Sequence, residues 1–476
     1  MGLKFGTSGI RKVFQNYSDS DVMFTPQMAL DFGLALGTYL GGNCLVVIGK
    51  DIRTSALPIE YALISGIVST GCNVKTLGII TTPTLAMSQR YLRADAGVMI
   101  TASHNTPEYI GLKIWNPSGM GYTPEQEEVI ERIYNEKSFI NIEWDEVGKV
   151  THENDINDIH ILDITRRVMF DGSKLNVMVD PGNGAGCEIV PKLLSTYNIN
   201  VVTLNSQMDG KFPGRHSEPN KENLEELSKF LKASNQKYIG IALDGDADRV
   251  VFLDESGALV DPIRLLTLVA KNYLKRYKGT KKILKNNMKV VTAINSSSLI
   301  EDVLNPLGCE VIRTEVGDIK IAIKIKEEGG FMGGETSGTY IWPSTHLGPD
   351  SIVTIAKVLR MMSETGKTLQ ELIEDIPEYP YYATKFRLKE DIAFTEATHQ
   401  KIIDVIKKSF EQIDKKILKI NRIDGCRFDF GDSWILIRRS GTSPYLRISS
   451  ESKIDLNHSI KINNLAKKGL QELNLI

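Results

Sequence analysis

The chain has 476 residues, too many for one hydrophobic core, because single cores stop growing at roughly 250–300 residues. With 42% hydrophobic residues, 24% charged residues and a net charge of −2, it lacks the basic surplus that binds nucleic acids or anionic membranes. The sequence contains no apolar run of about 18 residues and no signal-peptide pattern, so we expect a cytoplasmic protein of three or four domains.

Strand-like and helix-like segments alternate through most of the chain, which predicts α/β layering. The first unit has a strand at Cys44–Asp51, a helix at Ala56–Gly71 and a strand at Val74–Ile80. The same rhythm returns between residues 174 and 244, and again between residues 289 and 338. The sequence therefore predicts three α/β units of similar plan.

The C-terminal part has a different pattern, in which helices flank neighbouring strands. A strand is predicted at Tyr381–Lys389, a helix at Glu396–Gln412 and a last helix at His458–Leu473. This pattern is typical of an α+β module. We place the four domains at residues 1–153, 154–256, 257–376 and 377–476.

The five cysteines are scattered and odd in number, and no two have CxxC spacing. This arrangement predicts neither a zinc site nor a disulfide framework. The cysteines are Cys44, Cys72, Cys187, Cys309 and Cys426.

The segment TASHNTPEYIGLKIW, residues 101–115, follows an apolar strand and combines a serine, an imidazole and an amine. Ser103 could carry a phosphoryl group, while His104 and Lys113 could steady its charge or move protons. The alternative is a strand-end turn in which Ser103 caps the following helix.

The segment LDGDADRVVFLD places Asp244, Asp246 and Asp248 at positions i, i+2 and i+4. Crowded carboxylates repel one another unless a cation neutralises them, and Mg²⁺ suits carboxylate ligands combined with a phosphate oxygen. An EF-hand loop is excluded because Arg249 stands where the sharp turn needs glycine. A haloacid-dehalogenase-type aspartate nucleophile would bind Mg²⁺ as well, and a solvated acidic turn is the remaining alternative.

Two further polar loops follow predicted strands. GGETSGTY offers Glu335, Thr336 and Ser337, an acceptor and two hydroxyls of the kind that bind sugar hydroxyls, although a plain polar turn is equally compatible. RRSGTSPYLR could form a phosphate clamp, since guanidinium binds phosphate bidentately, or a hairpin turn with solvated arginines. The clamp residues are Arg438, Ser440, Gly441 and Thr442. Neither GxGxxG nor a P-loop occurs, which argues against dinucleotide binding.

These four loops, in this order, together with KFGTSGIRKV at Lys4–Val13, resemble the α-D-phosphohexomutases, the phosphoglucomutase/phosphomannomutase family. The resemblance spans the chain from this first segment to the last helix. It implies three similar mixed α/β sandwich domains plus a C-terminal α+β domain around a central active-site cleft. Its small-molecule partners would be hexose phosphates, and the sequence leaves the oligomeric state open.

The resemblance also implies a mechanism. Ser103 would be the phosphoserine, and one Mg²⁺ would lie between its phosphate and the three aspartates. A hexose 1,6-bisphosphate would be both the intermediate and the activator. Arg11, Lys113 and Arg249 would line the reaction centre, with His104 beside the phosphoserine. The resemblance assigns ring hydroxyls to the loop of Glu335 and the distal phosphate to the loop of Arg438.

Three positions depart from the pattern of many family members. Thr339 stands where many carry histidine, which raises the question whether His346 replaces it, and Arg439 and Ser443 make the phosphate loop more positive. We expect interconversion of hexose 1-phosphate and 6-phosphate, with glucose or mannose as the sugar. Phosphoglucosamine mutation, sugar-phosphate hydrolysis and non-catalytic sugar-phosphate binding are the alternatives.

Overall fold

The computed structural model describes residues 2–6, 9–18, 22–278, 288–388, 395–439, 445–473 and 475. These residues form four β-sheets in chain order, each packed against helices. The first three sheets mix parallel and antiparallel strands and the fourth is antiparallel throughout. The predicted architecture of three mixed α/β domains and an α+β domain is confirmed, while the boundaries given above stay a prediction.

The first unit contains a six-stranded sheet with the order β1-β5-β4-β2-β3-β6. Its elements are β1 (Ile10–Val13), α1 (Pro26–Leu40), β2 (Leu45–Lys50), α2 (Ala56–Val68), β3 (Asn73–Ile79), α3 (Thr82–Leu92), β4 (Ala96–Ile100), β5 (Tyr109–Trp115), α4 (Pro124–Glu136) and β6 (Val150–His152). Helices α1 and α2 touch through Gly33 and Gly66, where an added Cβ would lie 2.5 and 2.1 Å from backbone oxygens of the other helix. Glycine is therefore required at this crossing.

The second and third units each contain a four-stranded sheet, ordered β10-β9-β7-β8 and β12-β11-β13-β14. The second unit comprises α5 (Ile156–Arg167), β7 (Asn176–Asp180), α6 (Gly186–Thr196), β8 (Asn200–Thr203), α7 (Glu225–Ala233), β9 (Ile239–Leu243) and β10 (Val250–Leu253). The third comprises α8 (Pro262–Lys278), β11 (Met288–Ala293), α9 (Leu299–Leu304), β12 (Cys309–Thr314), α10 (Asp318–Glu328), β13 (Met332–Gly334), β14 (Tyr340–Ile341), α11 (Ser351–Thr365) and α12 (Leu369–Ile373). Side chains of both units contribute to one continuous hydrophobic core.

The first three units repeat one topology. In each, the first strand of the repeat pairs in parallel with the second and the third, and the fourth runs antiparallel beside the third. The connection between the third and fourth strands covers residues 101–108, 244–249 and 335–339. We call these connections the Ser103, Asp244 and Glu335 loops. The predicted repetition of plan is confirmed, and it gives three of the four polar loops equivalent positions.

The fourth unit is a five-stranded antiparallel sheet ordered β15-β19-β18-β17-β16, covered by two helices. Its elements are β15 (Tyr381–Arg387), α13 (Glu396–Glu411), β16 (Lys419–Asn421), β17 (Cys426–Asp429), β18 (Ser433–Arg439), β19 (Tyr445–Ser452) and α14 (Leu456–Glu472). It docks on the third unit through buried polar contacts. Arg427 donates to the carbonyls of Ile294 and Ser296 at 2.6 and 3.0 Å, and the Glu451 carboxylate accepts from the backbone N–H of Ser298 at 2.9 Å.

The prediction that no disulfide is present was wrong. Cys44 and Cys72 are bonded, because the parallel register of β2 and β3 sets the residues before the two strands side by side. Their separation of 28 residues carries no local signal of this pairing. Cys187, Cys309 and Cys426 are free and buried. Across the described segments, no helix is both long and apolar enough to cross a membrane.

Candidate active site

The Ser103 loop presents its serine to the Asp244 loop. The hydroxyl of Ser103 donates to Asp244 Oδ2 at 2.8 Å, and His104 Nδ1 lies 3.4 Å from the same hydroxyl oxygen. Ser103 is buried and has a φ of 52°, a left-handed conformation that is costly for a residue with a Cβ. The backbone N–H of Ser103 donates to Thr101 Oγ1 at 2.8 Å. This turn leads from β4 into β5, so Ser103 does not cap a helix. The surrounding structure must hold this strained turn in place.

A buried arginine holds the Ser103 loop, and sequence reasoning did not identify it. Arg53 donates to the carbonyls of Ser103 and Asn105 at 2.8 and 2.6 Å, and to those of Thr106 and Tyr109 at 2.6 and 2.9 Å. Its Nε bonds to Asp51, which also accepts from Thr101. The guanidinium fork therefore fixes the backbone on both sides of the serine.

The three aspartates of the Asp244 loop converge as predicted. One carboxylate oxygen from each of Asp244, Asp246 and Asp248 lies within 4.8 Å of the others, and all three side chains are buried. The Oδ1 atoms of Asp246 and Asp248 are buried without a hydrogen-bond partner. Burial, followed by the neighbouring carboxylates of Asp248 and Asp246, raises the pKa of Asp244 well above its usual range. Carboxylate oxygens that lack hydrogen bonds and repel one another are suited to bind a cation, which would neutralise their charge.

Lys113 reaches this cluster from β5. Its ammonium donates to Asp246 Oδ2 at 2.6 Å and to Asp248 Oδ2 at 2.5 Å. Burial opposes the charged form of Lys113, but the two carboxylates outweigh it and the pKa of Lys113 is raised. Asp246 is anchored a second time by Thr82, whose hydroxyl donates to Oδ2 at 2.7 Å. The first residue of α3 in one domain therefore holds the acidic loop of the next.

Two arginines complete the positive surroundings of the serine. Arg11, on β1, is half-buried, and desolvation lowers its pKa against the attraction of Asp246. Arg249 donates its backbone N–H to Asp244 Oδ1 at 3.1 Å, and its pKa is raised because the carboxylates of Asp244 and Asp248 outweigh burial. The sequence-predicted cations are thus brought to the same cluster.

His104 is neutral in this environment. Burial, and then the charges of Arg249, Arg11 and Lys113, lower the pKa of its imidazole to about 3. At neutral pH the ring therefore offers a lone pair as well as an N–H. The chemistry open to His104 is acceptance of a proton or a hydrogen bond.

The Glu335 loop is joined directly to the Asp244 loop. Val250 donates its N–H to the carbonyl of Gly338 at 3.0 Å, and Arg249 forms a β-bridge with Thr339. Gly338 has a φ of 83°, and a Cβ there would lie 2.7 Å from the carbonyl oxygen of Val250, so glycine is required. The two loops therefore form one surface.

The side chains of the Glu335 loop form a small polar network. Ser337 donates to Glu335 Oε1 at 2.9 Å, and its hydroxyl lies 2.9 Å from that of Thr339. Thr336 is exposed, with Asn295 donating to its hydroxyl at 3.4 Å. Burial and the charge of Asp318 raise the pKa of Glu335. This network can accept and donate hydrogen bonds to a polyhydroxyl ligand.

Asp318 is a second residue that sequence reasoning missed. It is the first residue of α10, and its pKa is raised by burial and by Asp248, against the charges of Lys113, Arg11 and Arg249. The Gly317–Asp318 pair that opens this helix was the available signal, because acidic residues favour helix N-termini. Asp318 therefore adds a fourth carboxylate to the three aspartates around Lys113, Arg11 and Arg249.

The predicted phosphate clamp is only partly described. Arg438 lies on β18 and donates to Asp424 Oδ2 at 3.2 Å, and the same oxygen accepts from the N–H of Val316 in the third unit. This contact places Arg438 where the fourth unit meets the third. The clamp residues Ser440, Gly441 and Thr442, and the unusual Ser443, lie outside the described residues.

His346 does not join the Glu335 loop. Its Nε2 lies 3.1 Å from Asp350 Oδ2, its Nδ1 accepts from the N–H of Gly348, and its Cβ packs against Gly119 of the first unit. The position where many family members carry histidine is therefore filled by Thr339 itself. The hydroxyl of Thr339 bonds to that of Ser337.

Comparisons with known proteins agree along the whole chain. The phosphoglucomutase/phosphomannomutase alpha/beta/alpha domain I matches residues 2–141, domain II residues 159–257, domain III residues 261–379, and the C-terminal domain residues 385–458. A probable phosphoglucosamine mutase of Methanosphaera stadtmanae is 39% identical over 97% of both chains. A phosphoglucomutase/phosphomannomutase of Thermococcus kodakarensis is 38% identical over 98% of this chain and 100% of its own.

A solved phosphoglucomutase/phosphomannomutase family protein from Burkholderia thailandensis superposes with a TM-score of 0.82. It covers 98% of this chain and 97% of its own, at 23% identity, and so supports the fold. The chain belongs to the phosphoglucomutase/phosphomannomutase family and is a mutase, an intramolecular phosphotransferase.

Proposed function

We propose that the chain is a phosphoglucosamine mutase that interconverts glucosamine 6-phosphate and glucosamine 1-phosphate through a phosphorylated Ser103. The site observation that carries the reaction type is the buried Ser103 hydroxyl 2.8 Å from Asp244, within a cluster of three carboxylates and three cationic side chains. The Methanosphaera relative supports the choice of sugar, since it is named a probable phosphoglucosamine mutase and aligns with this chain over 97% of both sequences.

A second candidate substrate class is glucose and mannose phosphates, which the sequence favoured. The Thermococcus relative, of nearly equal identity, is named for those activities. The chemistry at Ser103 is the same for both classes, and they differ only at C2 of the sugar, in the hydroxyl or amino group and, for mannose, in the configuration of that carbon.

In the proposed reaction the phosphoryl group leaves Oγ of Ser103 and bonds to the free hydroxyl oxygen of the hexose monophosphate. That hydroxyl loses its proton and the serine oxygen gains one, and we assign the relay of this proton to His104, whose Nδ1 lies 3.4 Å from the serine oxygen and whose low pKa lets it pass the proton on. Lys113 already donates to two carboxylates, so its part is to balance charge. Mg²⁺ bound by Ser103 phosphate and the three aspartates would neutralise the transferring oxygens.

The product of this step is a hexose 1,6-bisphosphate, which must reorient and return its other phosphoryl group to Ser103. Glu335, Thr336 and Ser337 would hold ring hydroxyls in both orientations. Arg438, with Ser440, Gly441 and Thr442, would bind the phosphate that is not reacting. Small hexose phosphates are the partners that this cycle requires, with the bisphosphate as activator.

The proposal is tested with a panel of 1-phosphates of glucosamine, glucose, mannose and N-acetylglucosamine, ranked by kcat/KM with Mg²⁺ and catalytic hexose 1,6-bisphosphate. We expect the highest value for glucosamine 1-phosphate, and a higher value for glucose or mannose 1-phosphate would reverse the choice of sugar. Release of inorganic phosphate without 6-phosphate would identify a phosphatase instead. Intact-mass analysis after incubation with the bisphosphate should show one phosphoryl group, absent from the Ser103→Ala variant.

A further inference from the structure

A second cavity, apart from the candidate active site, opens where α5, α8 and α11 meet. Its volume is about 450 Å³, within the range of small-molecule sites. Four cationic residues line it, and its described lining contains no acidic residue; the four are Arg167, Arg276, Lys357 and Arg360. The chain as a whole carries a net charge of −2, so this positive surplus is local.

The four cations reach the cavity from three helices. Lys357 and Arg360 are spaced i, i+3 on α11 and share one face of that helix. Arg276 faces them from α8, and Arg167 reaches the cavity from α5. Each helix also contributes one or two apolar or aromatic side chains to the lining, so cationic and apolar groups alternate around the cavity.

Among the described residues, two carboxylates lie beside the arginines of this lining. Asp163 pairs with Arg167 at 2.8 Å, and Glu364 pairs with Arg276 and lies 3.9 Å from Arg360 Nε. Asp350, whose charge acts on Lys357, lies 3.1 Å from the ring of His346.

Lys357 is the least compensated of the four. Its ammonium lies 4.2 Å from the centroid of the Trp342 ring, and within the described parts of the chain no carboxylate is at ion-pair distance from it. Burial, followed by the charge of Arg360, lowers the pKa of Lys357 to about 8. An anion in the cavity would supply the missing countercharge.

We propose that this cavity binds a phosphorylated small molecule carrying at least two phosphoryl groups, such as a nucleoside diphosphate. Guanidinium groups bind phosphate oxygens bidentately, and the ammonium of Lys357 adds a point charge between them. The apolar and aromatic residues of the lining would contact a ring attached to the phosphates. An adjoining cavity of about 430 Å³ shares Arg167 and Thr345 and adds Arg90 and Arg166, which extends the cationic surface toward the first unit.

The test is isothermal titration of the full chain, in EDTA, with inorganic pyrophosphate and with UDP. Lys357→Met retains the packing against Trp342 without the charge, and Arg276→Gln is a second variant outside the buried core. Lys326→Met, an exposed lysine on α10, is the matched control, and Arg438→Ala reports binding in the catalytic cleft. Thermal unfolding of every variant establishes that it is folded.

We expect saturable binding of pyrophosphate or UDP that weakens about ten- to a hundred-fold in Lys357→Met and Arg276→Gln and is unchanged in Lys326→Met. Because an anion raises the pKa of Lys357 from about 8, binding at pH 8 should take up as much as about half a proton, seen by comparing buffers. Absence of binding, equal weakening in Lys326→Met, or loss in Arg438→Ala alone would overturn the proposal.

Discussion

Replacing Arg53 with lysine should remove hydrogen bonds that hold the Ser103 loop against the rest of its domain. The guanidinium makes five hydrogen bonds, four of them to carbonyls between residues 103 and 109 and one to Asp51. Lysine keeps the positive charge but has three donors on one nitrogen, which cannot span both sides of the loop. At least two of the five acceptors therefore lose their partner.

The expected loss of stability follows from these acceptors. A buried acceptor left unsatisfied costs about 1–3 kcal/mol, so loss of two of them in Arg53→Lys should lower the free energy of unfolding by about 2–6 kcal/mol. The strained φ of Ser103 would lose part of its support, because only the hydroxyl of Ser217 would still donate to its carbonyl, at 3.1 Å. Because a displacement of about 1 Å at a reacting group can cost about 100-fold, kcat should fall by roughly that factor.

The assay combines urea unfolding with mutase kinetics at saturating substrate. Arg313→Lys is the matched control, because Arg313 also binds a carboxylate and several carbonyls but lies on β12, away from Ser103. We expect both variants to lose stability and only Arg53→Lys to lose kcat. Wild-type kcat in Arg53→Lys, or an equal loss of kcat in Arg313→Lys, would refute the assigned role.

Three variants and one pH dependence test the remaining assignments. Ser103→Ala should lose nearly all turnover in the mutase assay while its circular dichroism spectrum stays native, because a loop hydroxyl adds little to the core. Asp244→Asn should abolish Mg²⁺-dependent turnover yet raise the melting temperature of metal-free protein, since it relieves carboxylate repulsion. Arg438→Ala should raise KM for the monophosphate in steady-state kinetics with a smaller effect on kcat. Buried His160 has its pKa lowered to about 4 by desolvation, so only the unfolded chain is protonated as pH falls below 6.5. Urea unfolding should therefore show that wild type loses about 3 kcal/mol more than His160→Gln between pH 6.5 and 4.

Each of these predictions has a contradicting result. Turnover near the wild-type rate in Ser103→Ala would exclude the phosphoserine. A lower melting temperature for metal-free Asp244→Asn would show that the carboxylates are not in conflict. Unchanged KM in Arg438→Ala would remove it from the phosphate clamp, and parallel stability curves for His160→Gln and wild type would exclude the histidine as the source of the acid sensitivity.

The polar loops could be predicted because each carries a local signal. Aspartates at i, i+2 and i+4 after an apolar strand are costly without a cation, and strand ends in α/β sheets converge on one edge. The alternation of strand and helix likewise predicted the three similar units. Element ends were less exact, since the helix expected to run to Gly71 ends at Val68.

The supporting residues could not be predicted, because their partners are distant in sequence. Arg53 binds carbonyls some 50 residues further along, and Thr82 anchors an aspartate 164 residues away. The disulfide of Cys44 depends on strand register, which no spacing rule contains. Such contacts depend on the tertiary fold, whereas a sequence motif contains information only about residues that are close together in the chain.

The equivalent placement of the Ser103, Asp244 and Glu335 loops has an evolutionary consequence. Three units of one topology offer the same hairpin connection, and under the proposed function these connections would serve as phosphoryl donor, cation-binding loop and sugar-binding loop. Because each loop would have a different role, none could replace another. A disruptive substitution in any of the three loops should therefore abolish mutase activity. The same arrangement lets new specificity arise from a few exchanged residues in a single connection, with all three scaffolds intact.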